Sequence, residues 1–255
     1  MKIGLADLSI IPMRKKPDDK SEMVNQILFG ELYEIIEKSN GFFKVKLLHD
    51  GYIGWICQKQ LCQISKIEYN RLKSINLSYL YNNHSTIIGN NINIVLGSYI
   101  YANDTDNYFV LNNNKFSINE CEIVNKLFLK DLPLIISKYL NTPYLWGGRS
   151  PYGIDCSGLT QMVFRFFGVN MPRDAIDQSK VGYNIEYDGV KQGDLAFFQN
   201  KNGLINHVGI VLKNNKIIHA SGYVRIDNLD DNGIYKKSFS NYSHKLSLIK
   251  RIIQE

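Results

Sequence analysis

Residues 142–168 read TPYLWGGRSPYGIDCSGLTQMVFRFFG, and this stretch decides the fold. Leu159, Met162, Val163, Phe166 and Phe167 follow the spacing of one apolar helix face, so a helix is expected from near Cys156 to Phe167. Asp155 stands where an N-cap belongs, and Gly168 where a helix stops. Cys156 therefore opens a buried helix. The macrodipole and the unpaired backbone N–H groups there favour an anion, so a thiolate with a lowered pKa is expected. Gly147, Gly148, Gly153 and Gly158 surround it and allow a substrate to come close to the backbone. A buried structural cysteine is the competing reading, and the glycine-rich setting and helix start argue against it.

Upstream, Leu132, Ile135, Ile136, Tyr139 and Leu140 mark a second apolar helix face, with Pro133 tolerable in its first turn. Downstream, strands are expected at Asp194–Phe198, His207–Leu212 and Lys216–Ala220. A helix followed by hairpins implies an α+β domain. A thiolate nucleophile needs a general base, usually histidine, and a third group that fixes the base's tautomer. His207 opens one apolar strand and His219 ends the next.

That pairing carries a register condition. A two-residue loop at Asn214-Asn215 would pair Ile210 with His219 and put the two imidazoles on opposite faces. If they act together, the loop has odd length or a bulge, as when Leu212 pairs with Lys216.

The front of the chain has a different texture. Leu32–Glu37 reads as a strand, Asn40-Gly41 as a tight hairpin turn, and Phe43, Val45 and Leu47 as a half-buried strand. Asp50-Gly51 makes a second turn before the strand Tyr52–Ile56. A small barrel is expected over residues 1–65. Residues 66–125 are expected to form a second, diverged barrel. Strands are placed there at Ile92–Tyr101 and Tyr108–Leu111, with loops at 103–107 and 112–114.

The 255 residues are 44% hydrophobic and 21% charged, which excludes wholesale disorder. No apolar run approaches the roughly 18 residues of a membrane span. No long apolar stretch follows the basic start, so no signal peptide is expected. The net charge of +6 comes from interspersed residues, which does not point to nucleic acid. Cys57, Cys62, Cys121 and Cys156 form no CxxC pair and are read as thiols, the first three as packing residues.

PYLWGGRSPYGIDCSGL, MPRDAIDQ, GDLAFF, NHVGIVL and KIIHAS resemble, in order, the motifs of the NlpC-type cell-wall cysteine peptidases. SEMVNQILFGE with DGYIGWI resembles the SH3-bearing subgroup that cleaves γ-D-glutamyl-diamino-acid bonds in murein peptides. The resemblance implies an α+β papain-like peptidase domain over 126–255, preceded by one or two small all-β SH3-type barrels. It implies Cys156 as nucleophile, His207 as base and His219 as third member, with Tyr144 and backbone N–H groups near Cys156 or Ser157 at the oxyanion. It makes Asp174 the acidic anchor for a free L-Ala ammonium, held between the peptidase domain and the first barrel, with Glu22 and Tyr52 on the barrel side. Asp155, Ser157 and Trp146 would line the substrate cleft. Ala175 stands where members often carry serine, which removes one hydrogen bond to substrate. The implied substrate is a murein peptide with a free N-terminal L-Ala, handled in cytoplasmic recycling. No metal, cofactor, nucleic-acid or membrane partner is expected. The competing readings are a related acyl-amide hydrolase, a wall-binding module with an inactive peptidase domain, and a metal site of Cys156, His207 and His219.

Overall fold

The computed structural model describes residues 1–87, 92–102, 108–112, 114–117, 122–127, 129–236 and 241–254. The backbone divides into two compact units: Met1–Leu127 with Trp146–Pro151, and Phe128–Leu145 with Tyr152–Glu255.

In the first unit, seven strands form one antiparallel sheet in the order β3-β2-β6-β5-β4-β1-β7. They are β1 (Lys2–Leu5), β2 (Ile10–Arg14), β3 (Met23–Leu28), β4 (Leu32–Ser39), β5 (Phe42–Leu47), β6 (Ile53–Cys57) and β7 (Gln63–Ile64). Asn40 and Gly41 take φ of 47° and 76° between β4 and β5, the left-handed pair that the Asn-Gly signal requires. Asp50 Oδ1 accepts from the Tyr52 N–H at 2.9 Å and closes the second turn. Ile11, Met13, Ile27, Tyr33, Val45 and Ile56 are wholly buried at the centre. Tyr52 packs half-buried against them.

The same unit continues through α1 (Lys66–Lys73), whose N-cap Ser65 accepts from the Glu68 N–H at 3.1 Å. Seven short strands follow: β8 (Ser78–Leu80), β9 (His84–Ile87), β10 (Ile92–Val95), β11 (Tyr99–Ile100), β12 (Tyr108–Leu111), β13 (Asn114–Ser117) and β14 (Ile123–Val124). They make three small sheets, β11-β8-β14, β9-β10 and β12-β13. The single strand expected over Ile92–Tyr101 is two strands, because Gly97 at φ 82° turns the chain between β10 and β11. The ring of Phe29 meets Phe109 at 6.1 Å and Phe116 at 5.7 Å, tying β12 and β13 to the end of β3. The loop expected at 103–107, the centre of that at 112–114, and Cys121 lie outside the described residues.

α2 (Leu132–Ser137) buries Leu132, Ile135 and Ile136 as the spacing demands. It ends earlier than the pattern suggested: Asn141 turns at φ 65°, and Leu140 is 37% exposed rather than on the buried face. Two short strands, β15 (Arg149–Ser150) and β16 (Gly153–Ile154), precede α3 (Cys156–Phe166). All eleven residues of α3 are buried. At about 1.5–3 kcal/mol for each large apolar side chain, packing rather than helix propensity holds this element.

After α4 (Ala175–Gln178) the chain is strands: β17 (Tyr183–Ile185), β18 (Leu195–Gln199), β19 (Ile205–Leu212), β20 (Lys216–Ser221), β21 (Tyr223–Asp230), β22 (Gly233–Lys236) and β23 (Asn241–Arg251). They form one sheet in the order β17-β23-β18-β19-β20-β21-β22, and β22 also pairs with β23. α3 packs against β19 and β20. No helix among the described residues is long and apolar enough to cross a membrane.

Candidate active site

The start of α3 is clamped from several sides. Asp155 Oδ1 accepts from the Gly158 N–H at 2.7 Å, a side-chain N-cap. Arg173 donates to both carboxylate oxygens of Asp155, at 3.0 and 2.5 Å, and to Ser157 Oγ at 3.0 Å. Gln178 Nε2 donates to the Ser157 carbonyl at 3.0 Å, and its Oε1 accepts from Thr160 at 2.6 Å. The Arg173 and Asp155 side chains are only 1% and 7% exposed. α4 is thereby tied to the first turn of α3.

Cys156 sits buried at this turn, and the backbone N–H groups of Val208 and Ser157 donate toward its sulfur. The helix start alone led to an expected lowered pKa, and the structure reverses that. Burial, aided by the Asp155 carboxylate, pushes the thiol up to about 12 against the opposing N–H groups and Arg173. Desolvation outweighs the helix start here. The resting residue is a thiol, so it must give up its proton as it attacks.

The register of β19 and β20 places His207 and His219. Ile210 pairs with Ile218, Val211 with Ile217 and Leu212 with Lys216, leaving Lys213–Asn215 as an odd-length loop. Asn214 and Asn215 close it at φ 59° and 53°. His219 falls level with Gly209, one step from the Ile210–Ile218 pair, and His207 shares the face of Gly209. His207 Nε2 lies 2.8 Å from His219 Nδ1, with the rings at 84°. The register condition for joint action is met.

A further residue extends the chain. His219 Nε2 lies 3.0 Å from Asp227 Oδ2, which also accepts from Arg225 Nε at 2.9 Å. The hydrogen bond from His219, with help from Arg225, holds the Asp227 carboxyl below its usual range. An ionised carboxylate only accepts, so His219 Nε2 carries the proton. His219 Nδ1 is then an acceptor, His207 Nε2 a donor, and His207 Nδ1 a bare lone pair. Burial first, then the neighbouring His244, His219 and Arg225, hold the His207 pKa well below the ordinary value. His207 is therefore neutral, with Nδ1 able to accept a proton. The ring of His244 stacks on it, centroids 4.2 Å apart at 25°.

Tyr144 anchors its backbone on the Gly222 carbonyl at 2.9 Å. Burial first, then the neighbouring Cys156 and the Asp155 carboxylate, raise its phenol, which stays protonated and able to donate. The second unit thus brings together Cys156, His207, His219, Asp155 and Ser157, with Tyr144 in electrostatic reach of the sulfur. Asp174, beside Arg173, stands exposed at the N-cap of α4 and makes no side-chain cap bond, and Ala175 behind it is buried. In the first unit, Trp146 is 59% exposed and donates to Glu22 Oε1 at 2.8 Å. Glu22 also pairs with Lys15 at 3.1 Å, and these two bonds lower its pKa. Tyr52 belongs to the barrel packing. Sequence reasoning missed Asp227, Arg225 and His244. Their strands alternate polar and apolar residues as solvated strands do, and only the register reveals them.

A thiol at a buried helix start, a neutral imidazole and a second histidine bonded to it are the groups that cysteine-peptidase chemistry requires. Residues 141–243 match the NlpC/P60 family and residues 13–61 the bacterial dipeptidyl-peptidase SH3 domain; the chain carries an NlpC/P60 domain with that SH3 domain in front of it. It is 44% identical over 84 residues to a γ-D-glutamyl-L-lysine dipeptidyl-peptidase of Bacillus subtilis, a match spanning 32% of this chain and 28% of that protein. It is 27% identical to dipeptidyl-peptidase 6 of Lysinibacillus sphaericus, over 85% of this chain and 88% of that one. In fold it is similar to the crystal structure of an NlpC/P60 family protein from Bacillus cereus. The TM-score is 0.84 at 19% identity, covering 99% of this chain and 100% of that one.

Proposed function

We propose that this protein hydrolyses the γ-D-glutamyl–diamino-acid bond of murein peptides with a free N-terminal L-Ala, releasing L-Ala-γ-D-Glu. The observation that carries the chemistry is the hydrogen-bonded chain from Asp227 through His219 to His207, in the same unit as the Cys156 thiol. The name of the Bacillus subtilis relative supports the choice of bond, and that of the Lysinibacillus relative the release of a dipeptide. Cys156 Sγ attacks the amide carbonyl as its proton passes to His207 Nδ1. The Tyr144 hydroxyl and backbone N–H groups at the start of α3 stabilise the oxyanion. His207 gives its proton to the leaving amine. Water, losing a proton to His207, then releases the dipeptide and restores the thiol.

Asp174 is the proposed anchor for the substrate ammonium, with Ala175, Trp146, Glu22 and Tyr52 as further recognition residues and Asp155 and Ser157 lining the reacting end. Residues 66–125 are proposed as a second, diverged SH3-like segment between a barrel over 1–65 and the peptidase domain over 126–255. The proposed setting is cytoplasmic recycling of released wall peptides, which cell fractionation tests. The substrate test is mass spectrometry of L-Ala-γ-D-Glu tripeptides ending in diaminopimelate or lysine, with N-acetylated copies. Release from free tripeptides and not from acetylated ones is expected, and Asp174→Asn is expected to raise KM about 10- to 100-fold through loss of a charged hydrogen bond. Equal cleavage of both forms would remove the anchor and leave the peptidase.

Asp227→Asn tests the proton chain. It is expected to lower kcat by roughly 10- to 100-fold, the usual cost of losing an outer orienting group. Removing the anion also disfavours protonated His207, so the acid limb of kcat/KM, already expected below 6.5, moves to still lower pH. An unchanged kcat and an unmoved limb would reduce Asp227 to a surface carboxylate.

A further inference from the structure

We propose that His207, His219 and His244 form an inhibitory site for a borderline-soft divalent cation, zinc above all. Each ring offers one nitrogen, and the three atoms lie within 4.8 Å of one another. Zinc–imidazole bonds of about 2.0–2.1 Å put ligand atoms about 3.3 Å apart round a tetrahedral ion, so the 2.8 Å His207–His219 pair opens slightly and His244 moves in by about an ångström. Three imidazoles without a carboxylate favour zinc, copper or nickel over magnesium or calcium.

The site shares two members with the active site and adds one of its own. The 2.8 Å hydrogen bond between His207 and His219 lies where a metal would sit. Coordination takes the His207 Nε2 lone pair, so the ring proton held there moves to Nδ1 and the ligand stays a neutral imidazole. His207 then loses both its orienting partner and its freedom to accept the thiol proton, and catalysis stops. His244 is outside the hydrogen-bonded chain from Asp227 to His207, so replacing it removes a metal ligand and leaves that chain in place. The inhibition half rests on the peptidase reading above, and the binding half does not.

The test is calorimetry with Zn²⁺ and absorption spectroscopy with Co²⁺ on the full chain, on Cys156→Ala and on His244→Phe. Phenylalanine keeps a ring stacked on His207 and removes both nitrogens. His244→Gln, matched by melting midpoint, serves if the aromatic variant fails to fold. One-to-one binding is expected in wild type and Cys156→Ala, weakened about 10- to 100-fold without His244. Zinc is expected to block dipeptide release reversibly to chelator, and the concentration that halves each protein's own zinc-free rate should rise by the same factor in the His244 variant. Equal binding with and without His244 overturns the site. Binding that vanishes in folded Cys156→Ala also overturns it, by moving the metal to the thiol. Binding as expected with no peptide released upholds the metal site and overturns the peptidase reading instead.

Discussion

A Cys156→Ala protein is expected to release no measurable dipeptide, and adding His207→Ala to it is expected to cost nothing more. Groups that act as one unit are grossly non-additive: once the nucleophile is gone, its base has no proton to take. In a serine peptidase of the same logic, such a loss is about a millionfold in kcat. Here the raised thiol pKa sharpens the coupling. With Cys156 protonated at rest, the sulfur is a poor nucleophile until His207 accepts its proton. His219→Ala keeps both partners and removes only the acceptor that fixes the His207 tautomer. It is expected to lose about 10³- to 10⁴-fold, short of the full loss. Rates for the two single variants, the double variant and His219→Ala decide this. A double variant much worse than Cys156→Ala would mean that His207 works on something other than the thiol.

Arg173→Met is expected to destabilise the second unit by about 3–5 kcal/mol, because it strands a buried carboxylate. Asp155 would keep its bond to the Gly158 N–H and lose a bidentate partner, with almost no solvent to replace it. In melting temperature that is a fall of roughly 10 °C or more for a unit of this size. Pairing Arg173→Met with Asp155→Asn removes the charge and keeps a capping oxygen, so the double variant is expected to recover much of the loss. Thermal melts of the two proteins separate the cases. A single-variant cost below about 1 kcal/mol would mean the pair behaves like one at the surface.

The catalytic core was legible because its local rules agree. The spacing of Leu159 to Phe167 marks α3, Asp155 caps it, and Asn40-Gly41 makes the turn its composition promises. The placement of His207 and His219 on one face was legible as a condition on loop length. Three things were not. The ionisation of Cys156 depends on how deeply the helix start is buried, which periodicity does not report. Asp227 and His244 reach the site through a curled sheet whose later strands, β21 to β23, lie far along the chain from the nucleophile. The middle of the first unit is built from strands of two to four residues, too short for alternation to show, and a glycine turn splits what reads as one strand.

The loop Lys213–Asn215 has a consequence of its own. Surface hairpins ordinarily drift in length with little penalty, since closing a slightly longer loop costs only tenths of a kcal/mol. This one carries a parity. Removing or adding one residue turns His219 to the opposite side of its strand and leaves every hydrophobic contact of β20 inverted with it. Changes of two residues keep the phase. The length of three asparagine-rich residues at the rim therefore behaves like a frame, read by a sheet rather than a ribosome, and descendants of this chain are free to vary its composition but not its oddness.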